Sequence, residues 1–387
     1  MTGRTLVITN DFPPRVGGIE SFVLAMVQRM DPDRVVVHTA RQEGDAAFDA
    51  GLAFPVIRDP SRIMLPTPAI TRRSVALARD MGCDSVWFGA AAPLGLMASA
   101  LKKRAGVRRT VATTHGHEVW WAKAPGTRQL LRRIGETNDV VTYLGEFTRS
   151  QIAKALSPDA AARMVQLTPG VDTDAFNPSV DGRPVRDRYG LGDRPVIVCV
   201  SRLVERKGQD TLIRALPEIQ REVPDAAVLL VGDGPMRTTL VRLAAQCGVV
   251  DDVVFTGAVP WVDLPPYMAA GDVFCMPCRT RKLGFEVEGL GIVYLEASAT
   301  GLPVVAGNSG GAPETVADGS SGLVVDGTST ASVTSALAHV LRDRDVAQAM
   351  GRAGRERVVA SWTWTGASAA LAGSLRPGSS RRPADDH

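Results

Sequence analysis

The sequence predicts an α/β protein of two domains, each with a parallel β-sheet covered by helices. The chain has 387 residues, which exceeds the usual size of a single hydrophobic core and favours two domains. Short apolar, strand-like segments alternate with helix-like segments along both halves. Such alternation is typical of a parallel sheet with helices on both faces. In these sheets ligands bind beyond the carboxyl ends of the strands.

The first half opens with a predicted strand from Arg4 to Thr9, a turn, and a helix from about Glu20 to Met30. Gly17 and Gly18 lie at the start of that helix and lack Cβ atoms, so the backbone there can approach a ligand closely. The turn does not have the GxGxxG spacing of a dinucleotide fold, and taken alone it favours a structural turn over a binding site. Further elements are predicted as strands at Val35–Thr39, Ser85–Phe88 and Thr110–Thr113 and as helices at Thr71–Met81 and Pro93–Arg104.

Two histidines and a glutamate follow the strand that ends near Thr113, namely His115, His117 and Glu118. A lone histidine is more often structural, but three polar groups at a strand end make a functional site an equal alternative. A zinc site is not indicated, because the segment lacks a complete third-ligand spacing. Trp120 and Trp121 come next and are compatible either with core packing or with an interfacial anchor.

Turn-forming residues from Thr168 to Pro178 mark a domain boundary. Asp172-Thr-Asp174 has the form of a DxD metal motif, but its position in a linker predicts a turn and a helix cap. The second half repeats the strand–helix order. Its predicted strands are Pro195–Ser201, Ala226–Val231, Val253–Thr256, Val273–Pro277 and Val304–Ala306, and its last helices are Ala331–Leu341 and Ala347–Val359.

Two cations bracket the turn after the first strand of the second half. Arg202 and Lys207 are placed to hold the two phosphates of a diphosphate. Among the other turn-rich segments of this half is Gly307-Asn-Ser-Gly-Gly-Ala-Pro-Glu314.

The stretch from Gly284 to Glu296 contains two carboxylates, Glu288 and Glu296, eight residues apart. On one continuous helix their side chains would be rotated by about 80° and separated by ~12 Å. Gly289 and Gly291 favour a different geometry, with Glu288 in a loop and Glu296 in the first turns of the following helix. A helix start of this kind binds phosphate, while carboxylates accept hydrogen bonds from sugar hydroxyls. The stretch is therefore interpreted as a nucleotide-sugar site.

Composition is that of an ordinary globular protein, with 45% hydrophobic and 22% charged residues. The net charge of +3 does not indicate a nucleic-acid partner. Basic residues cluster in the first half, where an anionic membrane surface is as good an interpretation as a solvated face. These clusters are Arg72-Arg73, Lys102-Lys103-Arg104, Arg108-Arg109 and Arg132-Arg133.

No apolar segment approaches the ~18 residues that would span a bilayer, and the N-terminus does not have the pattern of a signal peptide. The five cysteines favour a reducing cytosol. Cys275 and Cys278 form a CxxC pattern that ends an apolar strand, which argues against a redox or metal role.

These motifs together resemble a retaining glycosyltransferase of the GT-B type in the family called GT4. The residues that carry the resemblance span about 4 to 365 and are Gly17-Gly18-Ile19, His115, Gly170-Val-Asp172 with Phe176 and Pro178, Ser201-Arg202, Lys207-Gly208, Gly232-Asp-Gly234 and Glu288 through Glu296. A closer resemblance is to the actinobacterial phosphatidylinositol mannoside mannosyltransferases of the PimB type. It is carried by Thr9 to Gly18, Val86 to Pro93, Thr114 to Val119, Arg279-Thr-Arg281 and Val287 to Glu296, with Lys282 to Glu286 departing from the usual glycine-rich loop.

The resemblance implies two Rossmann-like domains whose sheets face each other across a cleft. Residues 1–169 would form the acceptor domain for a lipid headgroup and 170–360 the nucleotide-sugar donor domain. Residues 361–376 would form a C-terminal helix that crosses back to the first domain. The composition of residues 377–387, which are rich in Ser, Arg, Pro and Asp, predicts a disordered tail.

The resemblance also implies the partners: GDP-mannose as donor, a phosphatidylinositol mannoside as acceptor, and the cytoplasmic face of an anionic membrane. No cofactor and no metal are expected, and a homodimer is left open. Arg202 and Lys207 would neutralise the leaving diphosphate, aided by amides at Gly17 and Gly18. Glu288 would hold mannose hydroxyls, Glu296 the ribose hydroxyls, and His115 would contact the reacting sugar. The amides of the segment Gly289, Leu290, Gly291, Ile292 and Val293 would add phosphate contacts.

Three alternatives stay open at this stage. One is a GT4 enzyme that uses UDP-glucose or UDP-GlcNAc and another acceptor. The second is a non-catalytic nucleotide- or lipid-binding protein with the same fold, and the third is a glycan phosphorylase, which would need pyridoxal phosphate.

Overall fold

The computed structural model describes residues 3–15 and 17–376. The described residues divide into two compact units, the first formed by those up to Pro169 together with 364–376 and the second by Gly170–Thr363. The tail predicted to be disordered, residues 377–387, lies outside the described residues. No described helix combines the length and the apolar character needed to cross a bilayer.

The first unit is built on a seven-stranded parallel sheet in the order β3-β2-β1-β4-β5-β6-β7. Its strands are β1 (Arg4–Thr9), β2 (Val35–Ala40), β3 (Val56–Asp59), β4 (Cys83–Phe88), β5 (Arg109–Thr113), β6 (Val140–Tyr143) and β7 (Val165–Gln166). The chain runs outward from β1 to β3 and returns to β4 beside β1. The strand order therefore reverses between β1 and β4, which is where ligands bind in such sheets.

Helices cover both faces of this sheet. They are α1 (Gly18–Val27), α2 (Asp45–Asp49), α3 (Pro68–Asp80), α4 (Ala98–Ala105), α5 (Glu118–Lys123), α6 (Pro125–Thr137), α7 (Glu146–Ala153), α8 (Pro158–Ala162) and α16 (Trp364–Leu375). Leu6 and Ile8 pack with α3, α4 and α6, while Val7 between them packs with α1 and α16. This alternation follows from the two-residue period of a strand and gives the unit two cores.

The second unit repeats the design with six parallel strands in the order β10-β9-β8-β11-β12-β13. The strands are β8 (Val196–Val200), β9 (Ala227–Val231), β10 (Val253–Gly257), β11 (Val273–Met276), β12 (Val304–Gly307) and β13 (Gly322–Val325). The helices are α9 (Arg183–Arg188), α10 (Gln209–Glu222), α11 (Arg237–Gln246), α12 (Leu264–Ala269), α13 (Ile292–Thr300), α14 (Thr330–Arg342) and α15 (Arg344–Ser361). Its strand order reverses between β8 and β11.

The predicted fold class is confirmed, with two Rossmann-like parallel sheets. The apolar strands that were predicted are all present, with ends shifted by one or two residues. Four edge or near-edge strands were not predicted: β3, β6, β7 and β13. The segment predicted as the helix Pro93–Arg104 is a short 3-10 turn at Leu94–Met97 followed by α4.

Two motif interpretations also have an outcome. The Asp172 carboxylate accepts hydrogen bonds from the backbone N–H of Asp174 and Ala175 at 3.1 and 2.9 Å, which confirms the predicted turn. The predicted helix cap is wrong, because the next helix, α9, begins only at Arg183. Cys275 and Cys278 are buried free thiols, and burial raises the pKa of Cys278 to about 11. Neither thiol has the low pKa of a reactive cysteine.

Candidate functional site

The loops after β8 and β11 lie at the point where the strand order of the second unit reverses. After β8 the chain passes Arg202 and forms a 3-10 turn at Glu205–Lys207. Gly208 then adopts φ +78°, and a Cβ atom there would overlap the carbonyl oxygen of Pro277, which follows β11. Only glycine meets both demands, so this residue fixes the loop that carries Lys207 against the loop that follows β11.

Lys207 and Glu288 form a direct ion pair, with 2.6 Å between Lys207 Nζ and Glu288 Oε2. The two side chains are 11% and 10% exposed. The sequence assigned them to different groups of the donor, the phosphates and the sugar. The structure instead joins them, so that the cation predicted for the phosphates and the carboxylate predicted for the sugar share a single position.

Arg202 differs from Lys207, because its side chain is exposed and no ion pair to it is found in the described part of the chain. Its carbonyl accepts a hydrogen bond from the side chain of the buried Gln209. The Gln209 amide also donates to the Ser201 hydroxyl at 2.8 Å. The backbone of this turn is thus held while the guanidinium remains available to an anion.

The Glu288 loop rests on the loop after β12. The Glu288 carbonyl accepts a hydrogen bond from Gly311 N–H at 2.9 Å, and the Ser309 hydroxyl lies 3.4 Å from Glu288 N. A Cβ atom at Gly310, which has φ +58°, would overlap the Glu288 carbonyl oxygen. Sequence reasoning recognised Gly307 to Glu314 only as a turn-rich loop. Its glycine pair was the available signal that another backbone approaches it closely.

Helix α13 begins as predicted, with Glu288 in the preceding loop and Glu296 in the second turn. Gly291 is the N-cap with φ +84°, and no side chain caps this helix end. Gly289 and Leu290 lead into it, and Ile292 and Val293 begin it. The first N–H groups of a helix have no intrahelical acceptor, so this end can bind an anion.

Glu296 lies inside the unit and is 5% exposed. Its Oε1 accepts a hydrogen bond of 2.9 Å from the indole Nε1–H of Trp261. Burial raises the pKa of Glu296 to about 7, and the hydrogen bond from Trp261 opposes that rise. Sequence reasoning missed Trp261, since nothing local in the sequence connects it to a carboxylate 35 residues away.

In the first unit, Gly17 and Gly18 lie at the N-terminal end of α1. A Cβ atom at Gly17 would overlap the carboxylate of Glu20, which pairs with Arg15 at 2.9 Å. A Cβ atom at Gly18 would meet nothing within 4 Å. A side chain at Gly17 would therefore displace the Glu20 carboxylate, whereas Gly18 leaves open space at the helix start.

His115 follows β5 and its ring bonds to the chain that follows β4. Nε2 lies 2.6 Å from the carbonyl oxygen of Gly89, and the backbone N–H of His115 donates to Glu118 Oε2 at 3.0 Å. Burial lowers the pKa of His115, so the imidazole is neutral at pH 7 and Nε2 carries the proton that it donates to the Gly89 carbonyl. Nδ1 is then a lone-pair acceptor. His117 is exposed and pairs with the buried Glu118 at 3.2 Å.

Within the described residues, no group of three or more His, Cys, Asp or Glu side chains is arranged to hold a metal ion. Arg202, Lys207 and the start of α13, which the sequence predicted as phosphate contacts, supply two cationic side chains and backbone N–H groups in the second unit. Groups of these kinds bind phosphate in proteins.

Two family models match the chain. The model for glycosyl transferases group 1 matches residues 184–357, and the model for glycosyltransferase family 4 matches residues 16–175. A GDP-mannose-dependent alpha-(1-6)-phosphatidylinositol monomannoside mannosyltransferase of Mycolicibacterium smegmatis is 52% identical over 372 residues, which cover 95% of this chain and 97% of that protein. The chain belongs to glycosyltransferase family 4. It is a glycosyltransferase.

A second relative from Corynebacterium glutamicum is named GDP-mannose-dependent monoacylated alpha-(1-6)-phosphatidylinositol monomannoside mannosyltransferase. It is 46% identical over 93% of this chain and 94% of its own length. Among solved structures, Anabaena HepE in complex with UDP has a TM-score of 0.81 at 19% identity and covers 96% of this chain and 99% of its own. That likeness shows the GT-B fold of this glycosyltransferase. The resemblance to the PimB type is confirmed.

Proposed function

We propose that this glycosyltransferase moves mannose from GDP-mannose to a phosphatidylinositol mannoside, with retention of the anomeric configuration. The observation that carries the proposal is the 52% identity, over nearly the whole of both chains, to a relative named for that donor and acceptor. The second unit supports a nucleoside-diphosphate sugar as donor. Glu288, which is paired with Lys207, lies in the loop just before α13, and the start of that helix can bind an anion.

The diphosphate would be bound by charge and by backbone amides. Arg202 is exposed without an ion pair to a described residue, and Lys207 has further N–H donors besides the one directed at Glu288. The N–H groups from Leu290 to Val293 add donors in fixed positions, and the Gly18 amide is proposed to contribute as well. Groups fixed in this way stabilise the charge that develops as the diphosphate departs.

The carboxylates would hold the hydroxyls of the donor. Glu288 uses Oε2 for Lys207, which leaves Oε1 to accept from a mannose hydroxyl. Glu296 would accept from the ribose. Retention without a covalent intermediate requires the acceptor oxygen to bond to the anomeric carbon on the face that the diphosphate leaves. The acceptor hydroxyl proton would pass to the departing phosphate oxygen.

His115 is proposed to contact the transferred mannose. Its neutral ring, held by the Gly89 carbonyl, offers the Nδ1 lone pair to a sugar hydroxyl or to a positively charged anomeric centre. The imidazole therefore acts as a hydrogen-bond acceptor and dipole instead of as a cation.

The acceptor is a lipid, and we propose that the first unit meets an anionic membrane at the cytoplasmic side. Many of the basic residues grouped in the sequence are occupied: Arg73 pairs with Asp59, Lys102 with Asp139, Arg108 with Asp84 and Arg132 with Glu136. Among the grouped residues, exposed cations without an ion pair to any described residue remain on three helices of one sheet face. These are Arg72 on α3, Lys103 and Arg104 on α4 and Arg133 on α6, here named the α3/α4/α6 basic face.

The test is turnover with a panel of donors and a phosphatidylinositol mannoside acceptor. GDP-mannose is expected to be used, and the product is expected to carry an α-linked mannose by NMR. Transfer should persist in EDTA, because the proposal assigns charge neutralisation to side chains. Preference for UDP-glucose or UDP-GlcNAc would contradict the proposed donor, and a β-linked product would contradict retention. Loss of activity in EDTA that added metal restores would contradict the assignment of charge neutralisation to side chains.

A further inference from the structure

Trp261 joins the 3-10 turn that follows β10 to the middle of α13. The turn spans Trp261–Asp263, and the indole Nε1–H donates to Glu296 Oε1 across 35 residues of sequence. The carboxylate is 5% exposed, yet 52% of Trp261 is exposed. One side chain therefore connects an interior carboxylate to the surface.

The indole is also held from a second side. Its ring meets the fully buried Phe176 edge to face, with centroids 5.8 Å apart and planes inclined by 63°. Phe176 lies near the start of the second unit. Because the hydrogen bond and the aromatic contact fix different parts of the indole, the orientation of its exposed surface is set before any ligand binds.

This geometry determines which oxygen of Glu296 is available. Oε1 is occupied by Trp261, while no hydrogen bond to Oε2 is found among residues 3–15 and 17–376. A hydroxyl that donates to this carboxylate must lie within about 8 Å of the indole nitrogen, given ordinary hydrogen-bond lengths. A sugar held by Glu296 is thus a near neighbour of the indole.

We propose that Trp261 is a positioning residue for Glu296 and a wall of the nucleoside site, with its N–H orienting the carboxylate and its exposed ring contacting the nucleoside. The inference rests on the proposed function, in which Glu296 receives the ribose hydroxyls. The ligand class is a nucleoside diphosphate. The ring supplies apolar surface to ribose C–H groups or to the base, and the N–H leaves Oε2 free for the hydroxyls.

Calorimetric titration with GDP and donor kinetics on Trp261→Phe test the orienting bond. Phenylalanine keeps an aromatic ring for the contact with Phe176, and it removes the N–H donor together with part of the ring surface. KM for GDP-mannose and Kd for GDP are expected to rise about fivefold, as for the loss of one hydrogen bond, with kcat nearly unchanged. The acid limb of kcat/KM should move to higher pH, because the lost hydrogen bond had favoured the ionised carboxylate.

Val262→Ala is the matched control, since Val262 is 74% exposed and adjacent in sequence. It should leave every parameter unchanged. A purely structural bond would lower thermal stability in Trp261→Phe without moving the pH profile or the KM, and that result would overturn the inference. Trp261→Ala should weaken GDP binding more than Trp261→Phe does, because it also removes the aromatic ring. Equal affinity of the two variants for GDP would contradict the proposal that the ring contacts the nucleoside.

The wild-type titration separates this inference from the proposed function. If the wild-type protein binds no GDP, the proposed function fails and the inference fails with it. If the wild type binds GDP and Trp261→Phe binds it equally well with an unchanged pH profile, the inference alone is overturned.

Discussion

Lys207 and Glu288 place opposite charges 2.6 Å apart, with only 11% and 10% of their side chains exposed to solvent. An ion pair in such a place adds little net stability, but either charge left alone is costly. The pair is therefore a coupled unit whose members cannot be removed independently. Its retention in a buried position is consistent with a role in binding.

Replacing either partner should abolish transfer and also weaken the fold. Lys207→Ala and Glu288→Ala are each expected to lose about 2–4 kcal/mol of unfolding free energy, and the double variant less than their sum, because neither charge is then unpaired. Denaturant unfolding and turnover of all three variants measure this. Arg221→Ala is the control, since its pair with Glu218 is exposed and should contribute less than about 1 kcal/mol. Additive losses, or near-normal turnover by a single variant, would contradict the assignment.

The buried carboxylate of Glu296 is expected to lower the stability of the ligand-free protein while it serves donor binding. Its pKa of about 7 in the folded protein exceeds its ordinary value of 4.5, mainly through burial. Because the pKa is higher in the folded state, the folded protein binds this proton more tightly than the unfolded chain does. The resulting contribution to the unfolding free energy is fully present below about pH 4.5 and is lost as the pH rises through 7. Glu296→Gln cannot ionise and avoids that loss. Without ligand it should be more stable than the wild type at pH 8 by up to about 3 kcal/mol, with little difference at pH 4.5.

Urea unfolding of the wild type and Glu296→Gln at the two pH values tests this prediction. The same variant should show a higher KM for the donor, because an amide accepts fewer hydrogen bonds from ribose than a carboxylate. A variant that is less stable than the wild type at pH 8 would show that the carboxylate is not penalised by burial.

Among the structural elements, the turn between β8 and α10 depends on one glycine. Gly208 has φ +78° and its missing Cβ leaves room for the Pro277 carbonyl. Gly208→Ala should displace the Lys207 turn and raise the donor KM by at least tenfold. Gly248→Ala is matched, since Gly248 has φ +72° with nothing near its missing Cβ, and it should cost only about 1 kcal/mol of backbone strain. Equal effects of the two substitutions on the KM would show that the contact with Pro277 is unimportant.

Apolar composition predicted the central strands of both sheets but not several strands at or near the sheet edges. β8, β9 and β11 are fully buried and consist of continuous apolar residues, which short apolar sequences indicate directly. β13 is only partly buried and begins with Gly322 immediately after a turn-rich segment, so its sequence has no strand signature. β7 has two residues. Such strands form because the backbone N–H and C=O groups of a neighbouring strand are available for hydrogen bonds.

The sequence predicted individual candidate residues for the site but not which of them pair with each other. Glycine spacing placed Glu288 before α13 and Glu296 within it, because a helix start is a local property. The ion pair between Lys207 and Glu288 spans 81 residues, and it depends on which strand lies beside β8. Local sequence does not determine that order, so the partner of each charge was beyond prediction.

For the molecule as a whole, membrane binding should depend on the α3/α4/α6 basic face. A Lys103→Glu/Arg104→Glu variant is expected to lose co-sedimentation with vesicles rich in phosphatidylinositol, since each cation near such a surface is worth about 1 kcal/mol. Binding by the wild type should weaken with salt. Arg242→Glu, an exposed change in the second unit, is the control. Equal sedimentation of both variants would exclude this face as the contact.

The most direct test of the central claim measures transfer of radiolabelled mannose from GDP-mannose to purified phosphatidylinositol mannosides, with the wild type and with Lys207→Ala. Labelled glycolipid should form with the wild type and should be absent with the variant. Unlabelled GDP-mannose should compete, and UDP-glucose should not. Failure of the folded wild type to label any mannoside, while it transfers sugar from a UDP donor to another acceptor, would contradict the account.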